Sequence, residues 1–575
     1  MATNPPFSAE PASSGPSRKT PPERRSDAHA GIVRSAGVVS AAVLLSRMTG
    51  LVREVVFANL FGAGFVYDAY LAAFRIPNLL RDLLAEGALS AAFVTTFSQY
   101  LETKGEAEAY RLSNRLATAL IPCLALLCLA AIVGAPFIVD VMFPGFAEVP
   151  GKKELTVRLA RIMAPFLLFI ALAAKAMGVL NAKGKFGIPA AASALFNVGS
   201  LAVGLFAGFV LGPRFGYEPI VGMAIGTLFG GVLQYACQWP SLRRVGLRYR
   251  PELSLSDPGL RQVLRLMGPA AIGGAAVQVN IVVNSNFASQ LTDAAGAVID
   301  GPVAWLGYAF RFMQLPLGLF GVAIASATLP AISRDAERGR INEFRDTLSR
   351  SLGLVFLLTI PSAMGLIVLS RPLVGLIYQH GKFTATDTEQ TAIALSFYCL
   401  GLAGYAAIKV LTPAFYALND VRVPALISVM SILLNYAFNW TLVHVFGLGH
   451  GGLALSTSLV ATLNFIALLW FMRDKIDGVE GRRLSSGVGK ILVASTAMGL
   501  FCAASSYGMR QAFGIGALGR AADLAVSIPI GVAVLYALCR LMRVDELELA
   551  QRAVLARLFG KPSQSDAYAR IDRDG

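Results

Sequence analysis

Charge is scarce in this chain: 15% of its 575 residues are Asp, Glu, Lys or Arg, against 55% hydrophobic. A soluble protein carries about a quarter charged residues, so a water-exposed globular surface of this size is excluded. Histidine is nearly missing. The four present, His29, His380, His444 and His450, are scattered, which argues against a His-based metal centre or a His-dependent catalytic site. The six cysteines, Cys123, Cys128, Cys237, Cys399, Cys502 and Cys539, all fall in apolar runs without metal-ligand spacing. They read as small buried hydrophobes rather than a disulfide framework, and the sequence predicts neither metal nor cofactor.

What the chain has in abundance is apolar runs long enough to cross the roughly 30 Å hydrocarbon layer. They fall at 35–61, 66–99, 112–143, 156–181, 187–212, 218–240, 262–291, 303–333, 349–378, 390–417, 423–447, 451–472, 488–512 and 518–542. The expected fold is an all-α integral membrane protein of about fourteen transmembrane helices. The 56 Gly and 28 Pro are spread through these runs, and Gly-rich faces such as "GMAIGTLFGG" suit close helix packing.

Residues 1–34, rich in Pro, Ser and Arg, lack the apolar stretch of a signal peptide and are expected to form a disordered cytoplasmic tail. With both termini inside, 22 basic residues fall in cytoplasmic loops. Nine fall outside: Lys152, Lys153, Arg158, Arg161, Arg214, Arg371, Lys382, Arg510 and Arg520. That asymmetry supports the orientation. It also accounts for the net charge of +15 without nucleic acid as a partner.

An internal repeat recurs at a period of about 235 residues. "VLNAKGKFGIPAAASALFNVG" resembles "FYALNDVRVPALISVMSILLN", with Pro189 opposite Pro424, and "MFPGF" lies opposite "IYQHGKF". Six spans per repeat give two lobes in parallel orientation, 35–243 and 259–475, joined by a cytoplasmic linker at 244–258. Such a design places a substrate path between the lobes. Two extra helices at 486–543 and a cytoplasmic tail at 544–575 fall outside the repeat.

The first two spans break the rule that ionisable residues avoid the bilayer. "SRMTGLVREVV" carries Arg47, Arg53 and Glu54, and "DAYLAAFRIPNLLRDLLAEGALSAAF" carries Asp68, Arg75, Arg81, Asp82 and Glu86. Each costs roughly 2.5–3.5 kcal/mol at mid-membrane, so they must face protein or a water-filled cavity. In an unbroken helix Asp68, Arg75, Asp82 and Glu86 would form one stripe, although Pro77 is expected to bend it. One reading is a set of ion pairs that merely fix packing. The other rests on the excess of guanidinium once Arg311 from "GYAFRFMQLPLG" is added. A cavity lined by Arg47, Arg53, Arg75, Arg81 and Arg311 would bind an anionic, phosphate-bearing substrate, because the guanidinium fork matches phosphate and stays charged. Lys175 and Lys409 are expected to snorkel from span ends. Asn280, Asn284, Asn435, Asn439 and Thr457 are expected to bond between helices rather than hold a cation.

"SRMTGLVREVVFANLFGAG", "DAYLAAFRIPNLLRDLLAEGALSAAFV", "GKFTA" and "KVLTPAFYAL" resemble the bacterial lipid II flippases of the MurJ/MviN family, within the multidrug/oligosaccharidyl-lipid/polysaccharide exporter group. The resemblance runs from about Ser35 to about Arg543. It implies fourteen helices, with the last two forming a groove for a long lipid tail. It also implies transfer of lipid II, the undecaprenyl-pyrophosphate-linked peptidoglycan precursor, from the inner to the outer leaflet of the cytoplasmic membrane. By the resemblance Arg47, Arg53, Arg75, Arg81 and Arg311 would contact the substrate, and Asp68 and Glu86 would be cavity carboxylates. The sequence departs from some relatives at Asp82, Phe310 and Gln314, which leaves no evident carboxylate partner beside Arg311 within its own span.

The implied partners are lipid II, the surrounding membrane lipids and a coupling ion. No bond would be made or broken. The alternatives are an exporter of another anionic lipid-linked oligosaccharide and a multidrug or cation antiporter of the same fold, which should need carboxylates more than arginines. A membrane-embedded enzyme acting on lipid-linked sugars would need a carboxylate pair or a metal at the membrane face, and neither is evident in the loops.

Overall fold

The computed structural model describes residues 22–83, 89–254 and 256–558, and these are overwhelmingly helical. The first half contains α1 (Pro22–Phe61), α2 (Phe65–Leu80), α3 (Ser90–Thr103), α4 (Gly105–Met142), α5 (Lys152–Met163), α6 (Phe166–Ala182), α7 (Gly187–Leu205), α8 (Gly212–Phe215), α9 (Pro219–Ala236) and α10 (Trp239–Arg244). The second contains α11 (Pro258–Ser289), α12 (Pro302–Pro316), α13 (Ala323–Glu337), α14 (Ile341–Val368), α15 (Ser370–Tyr378), α16 (Ala385–Leu400), α17 (Leu402–Ala417), α18 (Arg422–Trp440) and α19 (Gly449–Lys475). The hairpin of α20 (Gly481–Phe513) and α21 (Ala517–Leu541), then α22 (Asp545–Leu558), complete the described chain.

Ten of these helices or helix pairs are long and apolar enough to cross a membrane, or eleven if the pair α16–α17, bent by 44°, is one span. The fourteen expected spans are therefore not all confirmed. Those missing from the tally are 35–61, 66–99 and 262–291. The span expected at 66–99 is divided into α2, of 16 residues, and α3, of 14, each too short to cross alone. Two further expectations are corrected. Helix α1 begins at Pro22, so 22–34 is helical rather than part of a disordered tail. The span 66–99 is not one rod: α2 continues past Pro77 to Leu80 and then changes to a wider π turn at residues 81–83. Proline removes one ladder bond, and the wider turn shifts the phase of everything beyond it.

Helix packing follows the repeat. In the first half α1 packs on α7, α7 on α9, α9 on α6, and α2 on α5. In the second α11 packs on α18, α18 and α17 on α19, and α16 on α12. The α20–α21 hairpin lies against α14 and α15. Glycine permits the closest of these approaches. A Cβ on Gly222 of α9 would lie 2.1 Å from the Gly208 backbone nitrogen, and one on Gly226 would lie 2.3 Å from the Ser200 carbonyl.

The halves meet at the end of the spans that the basic residues assign to the outside, hereafter the outer end. Lys382 N donates to the Asn59 carbonyl at 2.8 Å, and Tyr308 Oη donates to the Gly62 carbonyl at 3.3 Å. The repeat-related motifs make related contacts here. Gly145 of "MFPGF" abuts Ser289 at the end of α11, and Gly381 of "HGKF" abuts Asn59 near the end of α1. In both, an added Cβ would lie 1.9 Å from an oxygen. Tyr308 of α12 stacks on Tyr67 of α2, ring centroids 5.1 Å apart, and meets the tilted ring of Tyr378 of α15 at 4.6 Å. At the opposite, inner end the start of α11 buries Leu260 and Val263 among Phe97, Tyr100, Leu112 and Leu116 of α3 and α4.

A β-branched side chain at the α7–α9 crossing must push the backbones apart, and overpacking costs about 1–3 kcal/mol or more where backbone is the obstacle. Gly222→Val is expected to lower the recovery of monodisperse protein on size-exclusion chromatography, while Gly216→Val, at a position with open space, acts only through its local turn and costs less.

Candidate functional site

Between the halves, charged side chains from α1, α2 and α12 come together. Glu54 of α1 accepts from Arg311 Nε of α12 at 2.8 Å and from Tyr378 Oη of α15 at 3.3 Å. One carboxylate from the first half is thus shared by two donors from the second. Arg53 places its guanidinium over the Phe196 ring of α7, 5.3 Å from the centroid. Arg47 lies against Gly318, where a Cβ would come 2.9 Å from its Nη2. Arg75 is half-buried within electrostatic range of Arg311, Tyr398 and Asp82. Arg81 pairs with its neighbour Asp82, through Nη2 at 2.9 Å and Nε at 3.1 Å to the same oxygen.

Among the described residues the group holds five guanidiniums and two carboxylates, Glu54 and Asp82. Even with its ion pair the Arg311 side chain is 52% exposed, and Arg47 is exposed too. A guanidinium that open is costly to leave facing hydrocarbon at mid-membrane depth, so these side chains are suited to a polar, hydrated space between the halves. Contacts close the outer end of this space. A positive cleft with the guanidiniums of Arg47 and Arg311 exposed is chemically suited to bind phosphate, to which an Arg can offer two parallel N–H donors.

The structure places the expected residues unevenly. Arg47 and Arg311 each touch the opposite half, Arg53 neighbours Glu54 in α1, Arg75 lies within electrostatic range of Arg311, and Arg81 is placed against Asp82. Arg311 has a carboxylate partner, Glu54, which comes from α1 and not from its own span. Asp68 is not a cavity carboxylate. It is fully buried at the outer end, where Oδ2 accepts from Lys152 Nζ at 3.0 Å and Gly301 N at 2.7 Å, and Oδ1 from Ala304 N at 2.8 Å. Gly301 and Ala304 open α12, so a carboxylate from the first half caps a helix of the second and complements its N-terminal dipole. Lys152, expected in an outer loop, is itself fully buried and also pairs with Asp300 at 2.6 Å. Glu86 lies outside the described residues.

Two lesser expectations divide. Asn284 accepts from Asn435 at 3.0 Å and Asn439 at 2.8 Å and donates to Thr457 at 3.1 Å, while Asn280 donates to Ser431 at 3.0 Å. The polar cluster thus bonds α11 to α18 and α19 as expected. Lys175 does not snorkel: it is 7% exposed and lines a small cavity with Asn114 and Tyr235.

The family described as lipid II flippase MurJ matches residues 57–519, which include Asp68, Arg75, Arg81 and Arg311. The chain belongs to the MurJ lipid II flippase family. The lipid II flippase MurJ of Burkholderia cenocepacia is 36% identical over 448 residues, covering 77% of this chain and 84% of that protein. The probable lipid II flippase MurJ of Vibrio cholerae serotype O1 is 36% identical over 452 residues, covering 76% and 82%. A solved lipid II flippase MurJ in an inward closed conformation superposes with a TM-score of 0.69 at 26% identity, over 87% of this chain and 98% of its own. A MATE-family multidrug transporter in an inward-facing conformation shares the fold at a TM-score of 0.62 and 16% identity, over 78% and 99%. The MurJ family membership thus agrees with the cationic cleft and the paired halves.

Removing one member of a buried ion pair leaves the other uncompensated, which costs roughly 3–5 kcal/mol, whereas removing both costs less. Lys152→Met is expected to lower the thermal unfolding temperature of the purified chain. Lys152→Met combined with Asp68→Asn is expected to be less destabilised than the sum of the two single changes.

Proposed function

We propose that the chain moves lipid II between membrane leaflets by alternating access of its two halves, with the guanidinium cleft as the site for the pyrophosphate head. Family membership supports the lipid II flippase activity, and the guanidinium excess beside Glu54 is the observation that carries the choice of headgroup site. Arg53 and Arg311 would grip the pyrophosphate while Arg75 and Arg47 add to the attractive field. The prenyl tail stays in the bilayer, against the α20–α21 hairpin.

The contacts at the outer end make the described conformation one that is closed outside. Substrate phosphate would compete with Glu54 for Arg311, loosening one bond between the halves. Rocking would then break the outer contacts and expose the cleft on the other side. Return of an empty cleft with net positive charge would be biased by the membrane potential, worth about 2.3 kcal/mol per elementary charge moved through 100 mV. Both termini would lie in the cytoplasm, in keeping with the basic-residue distribution. These are transport steps, with no covalent chemistry assigned to any residue.

The test is transfer of fluorescent lipid II in proteoliposomes, beside an analogue with an uncharged head. Each charge-assisted contact is worth about 1.5–3 kcal/mol, so Arg53→Ala and Arg311→Ala should each slow lipid II transfer by about tenfold or more at equal protein level. Normal transfer by both variants would reduce the arginines to packing pairs. Equal transfer of the uncharged analogue would reject the headgroup site.

A further inference from the structure

A second polar cavity is lined by residues that take no part in the cleft. Its volume is about 360 Å³, and the C-terminus of α14, the start of α15, the middle of α16 and the end of α20 form its walls. One side is apolar, with Ile367, Val368 and Phe397. The other carries Arg371, Glu389 and Arg510.

The charges here are arranged for exchange rather than for burial. Arg371 pairs with Glu389, and both side chains are well exposed, at 59% and 40%. Arg510 stands 3.6 Å from Asp523, beyond hydrogen-bonding distance. Asp523, buried, also accepts from Ser506 at 2.6 Å and Ser527 at 2.9 Å, so Arg510 supplies its charge at a distance and keeps its guanidinium N–H groups for another acceptor. Arg520 sits close by, donating to the Gly375 carbonyl of α15 at 3.1 Å. Arg371, Arg510 and Arg520 are three of only nine basic residues assigned to the outer side, and they gather where the C-terminal hairpin meets the body. Topology disfavours basic residues on that side, so such a cluster calls for a ligand that repays it.

We propose that this cavity binds the head of an outer-leaflet phospholipid that carries both a phosphate and a primary ammonium. The phosphate lies between Arg371 and Arg510, the ammonium replaces Arg371 on Glu389, and the upper acyl chain rests on Ile367, Val368 and Phe397. A purely anionic head would leave Glu389 facing phosphate once Arg371 turned away. A head of both signs satisfies all three side chains, which is the complementarity that selects it. The site is separate from the guanidinium cleft, and the inference holds whichever lipid the chain transports. A lipid bound there would brace α20 against α14 and α16.

The test is native mass spectrometry of the full chain in detergent, titrated with phosphatidylethanolamine, phosphatidylcholine, phosphatidylglycerol and undecaprenyl pyrophosphate. The wild type is expected to retain phosphatidylethanolamine in preference to the other three. Arg510→Gln is expected to weaken that binding about tenfold, the loss of one charge-assisted contact, and Glu389→Gln to erase the preference over phosphatidylcholine. Arg158→Gln, an exposed outer arginine elsewhere, should change nothing. The Glu389→Gln readout is a ratio between lipids, so it survives partial loss of fold in the arginine variant. Equal retention of all lipids, unchanged by either substitution, would show annular lipid only and overturn the site. Preferential retention of undecaprenyl pyrophosphate would overturn the assignment to a bilayer phospholipid.

Discussion

A carboxylate buried without water must find donors, and Asp68 finds them on both sides of the boundary between the halves. Lys152 reaches it from α5 of its own half, and the amides of Gly301 and Ala304 reach it from the other. The rest of the conformation depends on this junction. It fixes the start of α12, and α12 carries both Tyr308, which stacks between the halves, and Arg311, which faces the cleft. Opening the outer end would strand Asp68 or hydrate it, so the closed state is held by desolvation as much as by attraction.

The same logic, in wetter surroundings, gives the cleft its chemistry. Glu54 is shared between Arg311 and Tyr378, but Arg311 remains half exposed. An ion pair in that setting is weak enough to exchange. The buried pair at the outer end and the solvated pair in the cleft therefore divide the work. One holds a conformation, and the other yields its guanidinium to an incoming phosphate.

Much of this was legible from residue patterns, and the exceptions have a common cause. Apolar runs of span length marked most helices, and Pro189 opposite Pro424 marked the repeat. The related contacts of Gly145 and Gly381 follow from it. The five arginines were visible because charge is expensive in a membrane. Their partners were not: Asp68 meets Gly301 across 233 positions, and Tyr378 meets Glu54 across 324. Periodicity along one helix says which face a residue takes, not which distant helix arrives there. Asp68 looked like a member of the stripe that includes Arg75, and nothing along its own helix announces that it caps the start of α12. Lys152 gave no signal beyond its place in a loop. The π turn after Pro77 was likewise hidden, because proline announces a disturbance without fixing its form.

The most direct test of the account is the distance between the halves at both ends of the reconstituted protein. Spin labels would be placed at Glu148 and Thr386 outside and at Lys104 and Arg338 inside, all exposed positions, with pulsed electron resonance as the readout. The account predicts one short outer distance in the wild type. In Asp68→Asn it predicts a second, longer outer population accompanied by a shorter inner distance. An outer distance unchanged in folded Asp68→Asn protein would contradict the claim that this carboxylate holds the halves together.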